Sequence, residues 1–217
     1  FLANVFIYMS AALSITGLVA YIFGTDMNLM SLILTETGLN LFGYIVMFAP
    51  LGLVLWMSAK FQSFSSTMLI TLFIVFSILM GMSLSTIFLI YTGASIFSTF
   101  FITSGTFAVM AFLGYTTKTD LTKFGSILTM GVIGIIIAMV VNMFMQSAMM
   151  DYIISGIGVL IFTGLIAYDV QKLKRIGSGK EYGPEAANKL AIMGAVSLYL
   201  DFINLFLFLL RFTGGRK

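Results

Sequence analysis

The sequence predicts an all-α integral membrane protein with seven transmembrane helices, and three observations carry that prediction. Of the 217 residues, 60% are hydrophobic and only 9% are charged, whereas a soluble domain carries about 25% charged residues. The mean hydropathy is +1.10, so too few polar side chains exist to cover a water-facing surface. Apolar runs of about 20 residues, the length that crosses a bilayer as a helix, recur seven times. No segment shows the alternation of a strand.

The spans fall near 1–23, 39–58, 67–91, 94–115, 124–145, 150–170 and 190–212. The first connection, "GTDMNLMSLILTETG", has room for a short interfacial helix. "AKFQSFSS", "TGAS", "TTKTDLTK" and "QSAM" are short turns between the following spans. The one long polar stretch, "QKLKRIGSGKEYGPEAANK" at 171–189, reads as a loop inside a single seven-helix domain covering 1–217. The sequence opens on Phe1 rather than Met, which leads us to expect a missing N-terminal segment. Lysine and arginine placement orients the chain. With the N-terminus in the cytoplasm, Lys60, Lys118, Lys123, Lys172, Lys174, Arg175, Lys180 and Lys189 lie in inner loops. The outer loops then hold Asp26, Glu36 and Asp151 and no base; the exception is the C-terminus, with Arg211, Arg216 and Lys217, which an odd number of spans places outside, a re-entrant last segment being the alternative.

Composition excludes several chemistries. There is no cysteine and no histidine, so disulfides, thiolate or Ser-His nucleophiles and imidazole metal sites are absent. pH sensing near neutrality would rest on carboxylates. The 16 methionines are dispersed and read as packing residues. "GSGKEYG" lacks the strand and the GK[ST] ending of a phosphate loop. Nothing points to a cofactor or a nucleic-acid partner, and composition leaves only carboxylates for any enzyme chemistry.

Two acids fall inside spans: Asp169 in "AYDVQKL" and Asp201 in "SLYLDFINLF". An acid at bilayer depth costs at least ~2.5–3.5 kcal/mol, and such residues face a protein interior or water. Asp169, three residues from Lys172, also reads as an interfacial acid, and Asp201 also reads as a hydrogen-bonder to a neighbouring helix. Gly194, Ser197, Asp201, Asn204 and Arg211 share one helix face, a polar stripe that suits a helix at the centre of a bundle. Antiparallel sixth and seventh spans would let the two carboxyls meet. Two carboxylates in a low dielectric cannot both ionise easily, so the pair would titrate as a unit. Its oxygens suit a transient Ca²⁺, and Lys60 or a loop base would serve as countercharge. Asn142 reads as an interhelical hydrogen-bonder, and Gly81, Ser85 and the "TSGT" at 103–106 as close-packing positions.

"SLYLDFINLFLFLLRF" closely resembles the last-helix signature of the Bax inhibitor-1 family, also called the transmembrane Bax inhibitor motif family. "AYDVQKL", "KTDLTKFGSILTMG" and "VVNMFMQ" resemble its sixth-helix motif, its fourth-to-fifth connection and its fifth-helix end. The resemblance runs from roughly 100 to 213; the first three spans fit by length and polarity only. It implies a bacterial plasma-membrane protein whose last helix is wrapped by the other six. It implies a pH-sensitive calcium leak, gated by a proton-sharing pair at positions matching Asp169 and Asp201, with Ca²⁺ or H⁺ as permeant ion. Bacterial relatives latch the closed state with an arginine near the inner end of the second helix. Here "WMSAK" places Ser58 there and Lys60 two residues on, and the sixth-to-seventh loop is longer than the family's. Some bacterial relatives modulate a membrane-anchored AAA protease, so a non-conducting regulator is the alternative. An intramembrane aspartyl protease is a further alternative, but its Gly-x-Gly-Asp and Pro-Ala-Leu motifs are missing.

Overall fold

The computed structural model describes residues 1–179 and 182–217. Helices α1 (Leu2–Thr25), α3 (Leu41–Ala59), α6 (Gly93–Thr116), α7 (Thr122–Met145), α8 (Ala148–Gly179) and α9 (Pro184–Thr213) are each long and apolar enough to cross a membrane. The remaining span, Ser66–Ile90, is interrupted: α4 ends at Leu84 and α5 covers Ile87–Ile90. The seven-span fold is therefore as expected, with ends that differ from the apolar limits.

Local chemistry explains the connections. Asp26 stops α1 and starts the short α2 (Met27–Met30), its carboxylate accepting from the Asn28 and Leu29 amides. After α2 the chain makes a small hairpin, β1 (Leu34–Thr35) and β2 (Gly38–Leu39), which the alternation pattern did not announce. Gly38 sits at φ 128°, backbone that favours glycine. Asn40 caps α3 by accepting from the Gly43 amide and donates to the Leu32 carbonyl, which ties hairpin to helix. Ser65 caps α4. At the α4–α5 break the Ser85 hydroxyl donates to the Met82 carbonyl.

The largest departure lies in the polar stretch 171–189. It is helix for most of its length, because α8 continues to Gly179 and α9 already begins at Pro184. Lys180 and Glu181, which belong to the "GSGKEYG" stretch and the expected inner loop, lie outside the described residues. Pro at the first helical position needs no amide partner and presets the backbone angle. At 32 residues, α8 is about 48 Å long, against a hydrocarbon core of about 30 Å. The extra turns carry bases and account for what the sequence presents as a loop.

The chain divides into two compact units. Unit 1 holds Phe1–Thr92, the start of α9 through Val196, and Arg216–Lys217. In it α4 packs on α1 and α3. Gly81 allows the α1 backbone to approach, since a side chain there would meet Val19 and the Thr16 carbonyl at 2.8 Å. Thr16 donates to the Ser77 carbonyl at 2.9 Å across the same contact. The first turns of α9 are tied within this unit. Glu185 accepts from the Ser66 amide at 2.8 Å, Asn188 from the Tyr8 hydroxyl at 2.8 Å, and Lys189 donates to the Gln62 carbonyl at 3.3 Å.

Unit 2 holds α6, α7, α8 and the part of α9 from Ser197 onward. Here α8 packs on both α6 and α7. Gly114 of α6 lies against the Ala167 backbone, Gly125 of α7 against the Tyr168 ring, and Gly158 of α8 against the Phe208 ring. A side chain at any of the three would collide, so these contacts set how closely the helices approach.

Candidate functional site

Asp169 on α8 and Asp201 on α9 both belong to unit 2, and their carboxyls lie within hydrogen-bonding reach of one another. Register explains the meeting. Asp169 follows Ala167, whose backbone is pressed on Gly114, and Tyr168, whose ring fills the space above Gly125. That packing fixes the rotation of α8 and directs the next residue toward α9. Asp201 is only 7% exposed, and its neighbours Tyr199, Phe202 and Leu205 are buried. Phe202, the next residue on α9, meets the rings of Phe100 and Phe107 at 5.7 and 5.8 Å. Asp169 is half-buried.

The pair has a specific chemical property. Ionised carboxylates offer acceptors only, so they bond to each other only when one carries a proton. Asp201 Oδ2 is buried with no hydrogen-bond partner. An orphaned buried acceptor costs roughly 1–3 kcal/mol, which a proton between the two carboxyls, a water or a cation would relieve. Lys172 is the candidate countercharge that acts on Asp169, and its ammonium also lies 6.0 Å from the Tyr168 ring centre.

Comparison with known proteins places this pair in context. The whole chain, residues 1–217, matches the family model described as "Inhibitor of apoptosis-promoting Bax1". The chain belongs to the Bax inhibitor family. It is 45% identical to an uncharacterized protein of Borreliella burgdorferi, over all of this chain and 92% of that one. It is 45% identical to an uncharacterized protein of Rickettsia prowazekii, over all of this chain and 90% of that one. It is 43% identical to the inner membrane protein YbhL of Escherichia coli, over all of this chain and 92% of that one. A Bax inhibitor family protein with seven apolar helices and an inner-membrane relative is a protein of the bilayer.

The other residues that the sequence singles out in this Bax inhibitor family chain are scattered. On the α9 stripe, Gly194 is buried and Asn204 half-buried, but Ser197 and Arg211 are exposed. Burial along the stripe is therefore uneven: Gly194 and Asp201 are enclosed, Asn204 partly so, and Ser197 and Arg211 are not. Arg211 lies 5.9 Å from the Phe208 ring and 3.8 Å from the Met139 sulfur. Asn142 does not bridge two helices as expected. Its side-chain oxygen accepts from the Ser147 amide at 3.1 Å, in the turn that follows α7. Gln146 adopts the left-handed conformation at φ 50° there, and the Asn142 side chain satisfies an amide which that turn frees. Lys60 caps the end of α3 in unit 1 and is exposed, as is Ser58. Among the described residues no three acid, histidine or cysteine side chains come together. The pair alone supplies far fewer than the 6–8 oxygens that Ca²⁺ takes, which leaves it suited to a passing ion rather than a resident one.

One cluster went unread in the sequence. Gln171 is buried and bonds the α6–α7 connection from both ends of its amide. Its oxygen accepts from the Leu121 amide at 2.9 Å and its nitrogen donates to the Thr119 carbonyl at 2.8 Å. Lys174 donates to the Tyr115 carbonyl at 2.7 Å. Arg175 joins Asp120 at 2.7 Å and the Thr122 hydroxyl at 3.0 Å. The signal was present: Gln171, Lys174, Arg175 and Ser178 recur at helical spacing, which a loop has no reason to keep.

Proposed function

We propose that the protein is a pH-sensitive leak for calcium or a similar cation, with Asp169 and Asp201 as its gate. The observation that supports this reading is the pair itself: two adjacent carboxyls on neighbouring helices, one buried with an oxygen left without a partner. A proton shared between them ties α8 to α9. Its loss leaves two like charges in a low dielectric, where their repulsion is strong. The force between the helices therefore depends on how many protons the pair holds. Parted carboxylates would give a cation two oxygen-rich contacts on its way through. The conduction path carries no covalent chemistry, and the protein acts as a conduit and not an enzyme. The placement of bases supports a cytoplasmic N-terminus and a C-terminus on the opposite face.

Purified protein in liposomes loaded with a calcium indicator tests the reading. Influx measured from about pH 6 to about pH 8 should vary with pH in the wild type and lose that variation in Asp201→Asn, which keeps the volume and removes the charge. Absence of flux at every pH overturns the leak and favours a non-conducting regulator of a membrane-anchored protease, sought next by co-purification. Flux with unchanged pH dependence in Asp201→Asn and Asp169→Asn keeps the leak and overturns the gate.

A further inference from the structure

We infer that the end of unit 2 formed by the α6–α7 connection and the last turns of α8 is a docking surface for anionic phospholipid headgroups. Lys118, Lys123, Lys172, Lys174 and Arg175 lie at this end, with Asp120 as the acid among them. Their roles differ. Arg175 is spent on Asp120, whose one oxygen also accepts from the Thr122 amide at 2.9 Å and the Thr122 hydroxyl at 2.6 Å. That cancels the negative charge that would repel a phosphodiester. Lys174 is committed to the Tyr115 carbonyl and lies 4.6 Å from the Tyr115 ring centre. Lys118 and Lys123 are exposed and supply the free positive field, and Lys172, also exposed, adds to it while facing Asp169 and the Tyr168 ring.

The same end carries markers of the bilayer boundary. Tyr115 is 49% exposed, and exposed tyrosine rings concentrate where headgroups meet hydrocarbon. The Tyr168 ring sits against Gly125 in the first turn of α7, which puts Tyr168 at the level where α7 begins. From there α8 continues eleven residues to Gly179, roughly 16 Å at the helical rise. The basic turns therefore stand in the headgroup layer. Gln171 ties the last turns of α8 to the α6–α7 connection, so the backbone that carries the bases is ordered before binding. Charge complementarity and depth together select a lipid phosphate over a soluble anion.

The test uses the full chain in detergent, following melting temperature and native-mass-spectrometry retention with added phosphatidylglycerol, phosphatidylcholine or inorganic phosphate. Phosphatidylglycerol should stabilise the protein and stay bound, and the other two should not. Near an anionic surface each base is worth about 1 kcal/mol, so Lys118→Gln with Lys123→Gln and Lys172→Gln should weaken retention roughly hundredfold. Arg175→Gln, which unmasks Asp120, should weaken it too, and adding Asp120→Asn should restore it. Arg211→Gln, at the far end of α9, should leave it unchanged. Equal retention of phosphatidylcholine overturns the proposal, as does a triple variant that folds and still holds phosphatidylglycerol. A response to inorganic phosphate alone overturns the lipid as partner.

Discussion

Helices α7 and α9 are both apolar enough to cross a membrane, yet they meet different surroundings. The most apolar stretch of α7 has a mean hydropathy of 2.5 and is 11% buried; that of α9 has 1.9 and is 67% buried. The greasier helix is thus the more exposed one. In water this would be paradoxical, but in a bilayer lipid is as apolar as a protein interior, and burial follows packing and polar contacts instead. What distinguishes α9 is its polar stripe with Asp201 in the middle, which has no counterpart among the exposed isoleucines and valines of α7.

That contrast can be broken most severely by truncation. Leu205→Ala on α9 removes a fully buried side chain and should cost about 2–5 kcal/mol, whereas Ile137→Ala on α7, 59% exposed, should stay within ~0.5 kcal/mol. Unfolding in mixed detergent, followed by circular dichroism, gives both values. Next in size comes the exchange of acids. Ile137→Asp puts a carboxylate against lipid and should cost ~2.5–3.5 kcal/mol on insertion, read as lost membrane integration. Asp201→Asn should insert normally; failure of Asp201→Asn to fold would make Asp201 a structural residue.

A smaller effect belongs to the turn after α7. Asn142→Ala frees the Ser147 amide and should cost ~0.5–1.5 kcal/mol, the net worth of one hydrogen bond. Asn142→Asp, which keeps the acceptor, should recover much of it. Smallest is the response of Asp120 to acid. The Thr122 hydroxyl, then Arg175, hold its carboxyl well below the usual carboxylate range. A lowered folded value means the contribution is present at and above ordinary carboxylate values and is lost only as pH falls beneath them. Stability of the wild type relative to Asp120→Asn should therefore stay constant from neutral to mildly acid pH and converge only in strong acid.

The spans were legible because each is a predominantly apolar run, and a bilayer imposes its thickness on such runs. Their ends were not, because hydropathy is silent once a helix leaves the hydrocarbon: α8 goes on through Lys172, Lys174 and Arg175, and α9 starts at Pro184, before its apolar run. The α4–α5 break at Ser85 and Thr86 left no apolar gap to detect. Asp169 and Asp201 were legible as acids at depth, but their meeting depends on rotations set by Gly114, Gly125 and Tyr168, which only tertiary packing supplies. Asn142 was misplaced for a related reason. An amide in an apolar run suits a helix crossing or a turn equally, and the left-handed Gln146 that decides between them has no sequence marker.

The continuity of α8 has one more consequence. Asp169 and the bases at its end lie on a single rod, with Asp169 ten residues from Gly179, about 15 Å along the axis. A rod that slides along its axis carries its far end with it. If proton exchange at Asp169 slides α8 so that its far end meets headgroups differently, the affinity of that end for headgroups changes by a set factor. Thermodynamic reciprocity then requires headgroup binding to change the proton affinity of the pair by the same factor, so the lipid composition of the bilayer would set the pH to which the protein responds.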